Sequence, residues 1–280
     1  MMPASAAALR EQTFAANRAT GYIALSVAAA QGLSRRVRVH EAGSLRVRFP
    51  NGHDKGTLDA VIVNTAGGMT GGDQFQLNFD VGAGARLSVT TAAAEKVYRS
   101  LGPDTNVGVK LTIGDEAALT WLPQETILFD RVRLRRTVDI ELAGGARLLL
   151  AEAIVFGRAA MGEVVGAGHL FDRWRVRLDG ALIFAETMRI DGAIAKRLAE
   201  RPIAADGAAI AGILKVPGDE AAVAAVNAMQ QNFHGEVGAS AWNGLALTRL
   251  VAPDGAALRH DLAAIVMAWS ETPLPRLWLN

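Results

Sequence analysis

Between about residue 33 and residue 190, apolar and polar positions alternate with period two. Arg35–Val39, Ser44–Phe49, Arg86–Val89, Val107–Ile113 and Val138–Leu142 all follow this pattern, and clusters of Gly, Asn and Asp separate them. Successive side chains of a strand point to opposite faces, so the pattern predicts half-buried strands joined by turns. A looser recurrence overlies it. Gly84-Ala85-Arg86-Leu87, Glu116-Ala117-Ala118-Leu119, Gly145-Ala146-Arg147-Leu148 and Gly180-Ala181-Leu182 each open a strand. Each is followed by an acid, namely Glu95, Glu125, Glu152 and Glu186, and the last two end the matching runs Leu148–Glu152 and Leu182–Glu186. Phe129-Asp130-Arg131 likewise recurs as Phe171-Asp172-Arg173. A period of about thirty residues signals stacked units that bury one face against the next. The expected fold is mainly β, an irregular β-helical or stacked-sheet body forming a single domain over residues 1–280. Residues 1–20 are alanine-rich and read as a partly ordered arm.

The pattern changes in the last third. Pro217-Gly218-Asp219-Glu220 opens an alanine-rich stretch to Gln231, which is a helix start signal. Trp242–Val251 returns to strand character, Pro253-Asp254-Gly255 reads as a turn, and His260–Trp269 as a last helix. About two α-helices are therefore expected here, followed by a tail held extended by Pro273 and Pro275.

Composition narrows the function classes. The chain has 280 residues, 50% hydrophobic, with a net charge of +1, enough for a full core and too neutral for a nucleic-acid footprint. The arginine runs Arg131–Arg136 and Arg173–Arg177 alternate with apolar residues and read as solvated strand faces. The absence of cysteine excludes disulfides, thiolate metal sites and cysteine nucleophiles. No apolar run approaches the ~20 residues of a membrane span, and the N-terminus makes a poor signal peptide. A cytoplasmic protein without membrane or nucleic-acid partners is expected.

Residues Asn64–Asp73, NTAGGMTGGD, pack four glycines into six positions directly after the strand-like run Ala60–Val63. A phosphate loop needs Lys after its last glycine, and a dinucleotide loop needs G-x-G-x-x-G opening a helix. Neither holds here, and Phe75–Val81 alternates as a strand. The loop therefore reads as a strand–loop–strand turn. Each of His40, His53, His169, His234 and His260 is isolated, so no short-range metal motif exists. The acids are more informative. A carboxylate among apolar strand residues costs several kcal/mol unless it is paired, hydrogen-bonded or hydrated. Pairing with arginine or Lys96 is one reading, and a water-filled passage suited to a hydrated divalent cation is the other. A small-molecule enzyme using these acids as acid–base groups is the alternative function.

Taken in order, five segments resemble one family. They are Asn64–Asp73, Thr90–Ser100, Leu122–Phe129, Glu152–Gly157 and Pro275–Trp278. Together they are similar to the urease accessory protein UreD (UreH) family over nearly the whole chain. The resemblance implies a non-enzymatic maturation chaperone. Such a scaffold binds apo-urease and UreF, reaches the GTPase UreG through UreF, and helps deliver Ni²⁺ through an internal tunnel. It further implies that Asp73, Glu152 and Glu186 line that tunnel. Nickel is then transient cargo, with no tightly bound cofactor.

Overall fold

The computed structural model describes residues 17–51, 56–100, 102–158 and 161–279. Two sheets face each other across one core, and the middle of the chain winds between them. Strands β5 (Gln74–Val81), β8 (Thr105–Ile113), β11 (Val132–Leu142) and β13 (Gly168–Leu178) lie parallel in the first sheet. Strands β6 (Arg86–Thr91), β9 (Ala118–Leu122) and β12 (Arg147–Phe156) lie parallel in the second. This is the stacked, β-helical body that the strand pattern predicts. The turns from first to second sheet pass through Gly84, Glu116 and Gly145, all at positive φ. Their equivalence is exact in register, since Ala118 pairs with both Arg86 and Arg147.

The fourth opening, Gly180-Ala181-Leu182, is different. It begins β14 (Ala181–Gly192), which doubles back antiparallel on β13 within the first sheet. The likeness between Leu148–Glu152 and Leu182–Glu186 therefore does not reflect equivalent places. Phe129-Asp130-Arg131 and Phe171-Asp172-Arg173 also part company, because Phe171 pairs with Arg135 in mid-strand.

An antiparallel pair of strands extends the first sheet at its other end. β1 (Thr20–Ala30) lies parallel beside β5, and β2 (Leu33–Gly43) returns along it. The expected arm thus ends in a strand whose inward residues Ile23, Leu25 and Val27 are buried, while residues 1–16 fall outside the described part. On the second sheet, β3 (Leu45–Arg48) and β4 (Leu58–Asn64) extend one end, and β15 (Ala209–Val216), β17 (Leu245–Ala252) and β16 (Glu236–Trp242) the other. Short strands β7 (Glu95–Val97) and β10 (Thr126–Leu128) pair beside β12.

Three helices occur among the described residues: α1 (Ile194–Leu198), α2 (Glu220–Asn227) and α3 (Gly255–Trp269). α1 carries no pattern long enough to be read from sequence. The other two pack on the outer face of the second sheet, in a second apolar cluster with Ala151, Leu250 and Ile265. Asp219 caps α2 through the Ala222 amide. The expected Pro253-Asp254-Gly255 turn is instead the start of α3, since Asp254 accepts the amides of Ala256 and Ala257. No helix is long and apolar enough to cross a membrane among these residues.

The C-terminal tail is not wholly extended. Arg276–Trp278 forms a 3₁₀ turn, and Leu274 and Trp278 are buried in the helix-side cluster.

Candidate functional site

Parallel winding stacks equivalent positions into layers across the core. One layer of the first sheet runs Leu77, Val109, Val138 and Trp174, all inward and apolar. The layer two residues earlier runs Phe75, Val107, Arg136, Asp172 and Met188. Winding places a guanidinium and a carboxylate side by side where apolar residues belong. Arg136 is 5% exposed, so it leaves the solvated face assigned to the Arg131–Arg136 run. Arg133 and Arg135, in the opposite phase, do reach Asp104 at the surface, at 2.9 and 3.7 Å.

Glu152 completes the arrangement from the second sheet. It is in phase with Leu150 and Ile154, which also face the core. Arg136 forms a short ion pair with Glu152 through Nη1, and donates to Asp172 from Nε at 3.1 Å and from Nη2 at 2.5 Å. Trp121 Nε1 donates to the remaining Glu152 oxygen at 2.9 Å. The three charged groups are thus bonded to one another and buried, which is the only tolerable way to place them in a low-dielectric core. Burial pushes the Glu152 carboxyl above the ordinary range, against the pull of Arg136 and the Trp121 bond. Arg136 is held charged by Asp172 and Glu152 despite its own burial.

Two cavities meet at this cluster. One is lined by Asn64, Glu95, Thr126, Arg136 and Glu152, and the other by Arg136, Glu152, Asp172, Glu186 and Arg249. They offer water ≈ 80 and ≈ 200 Å³ respectively. On this measure a single water needs about 10–15 Å³, so both have room for several. Carboxylates therefore mark both sides of a buried charged partition.

The sequence-selected acids occupy different settings. Glu152 is the partition itself. Glu186 lines the second cavity, but β14 is an edge strand and its side chain is 36% exposed, paired with Arg249 at 2.9 Å. It is therefore not the enclosed acid its apolar neighbours suggest. Asp73 is buried yet lines neither cavity, and its two oxygens accept the amides of Ala19 and Thr70, each at 2.8 Å. It ties the glycine loop to the entry of β1. The loop itself connects β4 to β5 across the sheets, as the strand–loop–strand reading expects. A side chain at Gly68 would strike the Tyr98 ring at 2.5 Å, and one at Gly71 the Ser100 hydroxyl at 1.9 Å. Gly68 and Gly71 thus serve close packing against Tyr98, Ser100 and Pro103, while Gly67 and Gly72 turn the loop at positive φ. Glu125 pairs bidentately with Arg259 at 2.8 Å and lies outside both cavities.

Arg136 and Asp172 are the residues that sequence reading missed. The signal was present. The doublet Arg135-Arg136 breaks the alternation, and Asp172 shares its phase with Trp174 and Val176.

Glu95 offers a test of the first cavity's polarity. Desolvation raises its pKa, opposed by the Asn64 side chain that donates to it at 3.1 Å. A carboxyl raised on folding binds protons more tightly in the native state, so its contribution to stability declines as pH rises through the raised value. The stability of the wild type relative to Glu95→Gln should therefore fall as pH rises above the ordinary glutamate range. Urea denaturation of both proteins at several pH values checks this, and a constant difference would contradict it.

Comparison with known proteins covers nearly the whole chain. The family model described as UreD urease accessory protein matches residues 19–279. The chain is 54% identical over 267 residues to the urease accessory protein UreD of Rhodopseudomonas palustris strain BisA53, covering 95% of this chain and 93% of that one. It is 49% identical over 280 residues, the full length of both, to the UreD of strain HaA2. It is 51% identical over 278 residues to UreD 3 of Bradyrhizobium sp. strain BTAi1, covering 99% of each. Identity at this level over the whole two-sheet body means that the chain belongs to the UreD family of urease accessory proteins.

Proposed function

We propose that this protein is a cytoplasmic urease maturation chaperone, a non-catalytic scaffold that passes Ni²⁺ toward urease through the cavities and charged cluster between its sheets. Apo-urease and UreF are its direct partners in this reading, and UreG joins through UreF. The role in urease maturation rests on the family. The route rests on one observation: two cavities, each with room for several waters, meet at a buried cluster of two carboxylates and one arginine.

The chemistry of that cluster suits transit. Carboxylate oxygens and water accept a divalent cation but hold nickel more weakly than imidazole does. Arg136 occupies the positive place between Glu152 and Asp172. A passing cation competes with it for the same oxygens, so the guanidinium acts as the partition that must swing aside. Both acids are already engaged by Arg136. That suits charge compensation better than the proton shuttling of an acid–base enzyme.

Glu152→Gln keeps the volume and removes one charge. In cells co-expressing urease with its accessory proteins, this variant should lower urease nickel content at least about tenfold, taking the lower effect of losing a metal-orienting group as a guide. Pull-down of urease and UreF should be unchanged. Wild-type nickel content would end the passage reading while leaving the family role intact.

A further inference from the structure

Away from the inter-sheet layer, the fold joins two histidines that lie far apart in sequence. His234 precedes β16, and His260 stands on α3. Their rings stack with centroids 4.1 Å apart and planes 6° from parallel, and both residues are exposed. Asp261 organises the pair. It is only 1% exposed, and its carboxylate accepts the His234 amide at 2.9 and 3.0 Å and the Gly235 amide at 2.8 Å. The same carboxylate meets His260 Nδ1 at 3.0 Å. An ionised carboxylate only accepts, so Nδ1 of His260 carries the proton and Nε2 presents its lone pair outward. A carboxylate that fixes the tautomer and tilt of an imidazole is how proteins prepare a histidine to ligate a metal.

We propose that His234 and His260 form a surface site for a borderline divalent transition-metal ion such as Ni²⁺ or Zn²⁺, with Asp261 as the group that orients it. Imidazole nitrogen is a preferred ligand for these ions, and hard ions such as Mg²⁺ and Ca²⁺ prefer oxygen. One nitrogen from each histidine and one Asp261 carboxylate oxygen lie within 4.8 Å of one another, so the pair and the group that orients it form one compact cluster. In-plane lone pairs of parallel rings do not converge, so an ion shared at metal–nitrogen distances of about 2.0–2.1 Å unstacks the rings by rotation about their side-chain torsions, which exposed side chains are free to make. Water completes the coordination, leaving the ion exchangeable. The site sits on the helix-bearing outer face of the second sheet, opposite the face that lines the cavities. It is therefore separate from the proposed passage and does not depend on it.

The test is titration of the purified full-length protein with NiCl₂ or ZnCl₂, followed by calorimetry and by NMR of the five histidine ring protons. Ni²⁺ should broaden His234 and His260 before His40, His53 and His169. His234→Ala and His260→Ala should each weaken the imidazole-dependent event at least about tenfold. MgCl₂ should produce no such event, and thermal unfolding should show that both variants remain folded. Glu152→Gln should leave this event unchanged, which separates it from the passage. Unaltered Ni²⁺ and Zn²⁺ binding in both folded histidine variants, or simultaneous broadening of all five rings, would overturn the proposal.

Discussion

Arg136→Met is expected to lower the free energy of unfolding at pH 7 by about 3–5 kcal/mol, read from urea denaturation. The substitution leaves Glu152 and Asp172 buried without their shared cation, and Met cannot donate to either. The deficit should shrink in mild acid, because the Glu152 carboxyl, raised by burial, takes up a proton more readily in the folded variant than in the unfolded chain. Changing all three members together, as Arg136→Met with Glu152→Leu and Asp172→Leu, should restore much of the lost stability. A buried ion cluster replaced by packed apolar side chains is often neutral or better. The same triple variant should fail to load urease with nickel. Stability regained with delivery lost would mean that the cluster is kept for its charge rather than for the fold. A triple variant that both folds and delivers would remove the passage.

Trp278→Ala should cost about 3–5 kcal/mol, the range for deleting a buried large aromatic. Trp278 is 5% exposed, donates from Nε1 to the Leu122 carbonyl at 2.9 Å, and lies beneath the Arg259 guanidinium. Arg259 in turn binds Glu125 and Gln124. The tail therefore closes the apolar cluster under α3 and joins it to the strand ends, which places these residues in packing. Thermal unfolding of the isolated chain measures the effect. If Trp278→Ala left stability unchanged and reduced only UreF binding, the tail would be a docking element instead.

How much could be read in advance varied with the kind of constraint. Alternation exposed the strands of the winding region because each buries one face. Glycine and left-handed turn positions marked the rungs, so Gly84, Glu116 and Gly145 were legible as equivalents. The same logic over-reached at Gly180, where a similar motif puts both Asp179 and Gly180 at positive φ and feeds an antiparallel hairpin instead of a crossing between sheets. β1 was missed because its small residues, Ala24, Ser26 and Ala28, blunt the contrast between its faces. Asp254 looked like a turn residue because the same side-chain bonding that favours turns also caps helices.

The acids divide in the same way. Glu152 was recognisable as buried from its phase among Leu150 and Ile154. Glu186 was not recognisable as an edge residue, because exposure there depends on which strand lies last in the sheet. Asp73 carried the loop, but only the folded chain brings Ala19 to within hydrogen-bonding distance of it.

By itself, then, the sequence determined the β body, its approximate repeat, the two longer helices and the family, since all of these are written in local periodicity and ordered motifs. The tertiary structure decided which charges meet. Parallel winding carries Arg136 beside Asp172 and faces both toward Glu152 from the opposite sheet, and helix packing brings His260 onto His234. Such encounters depend on register between distant strands and on the docking of separate elements, and no spacing along a single chain segment records them.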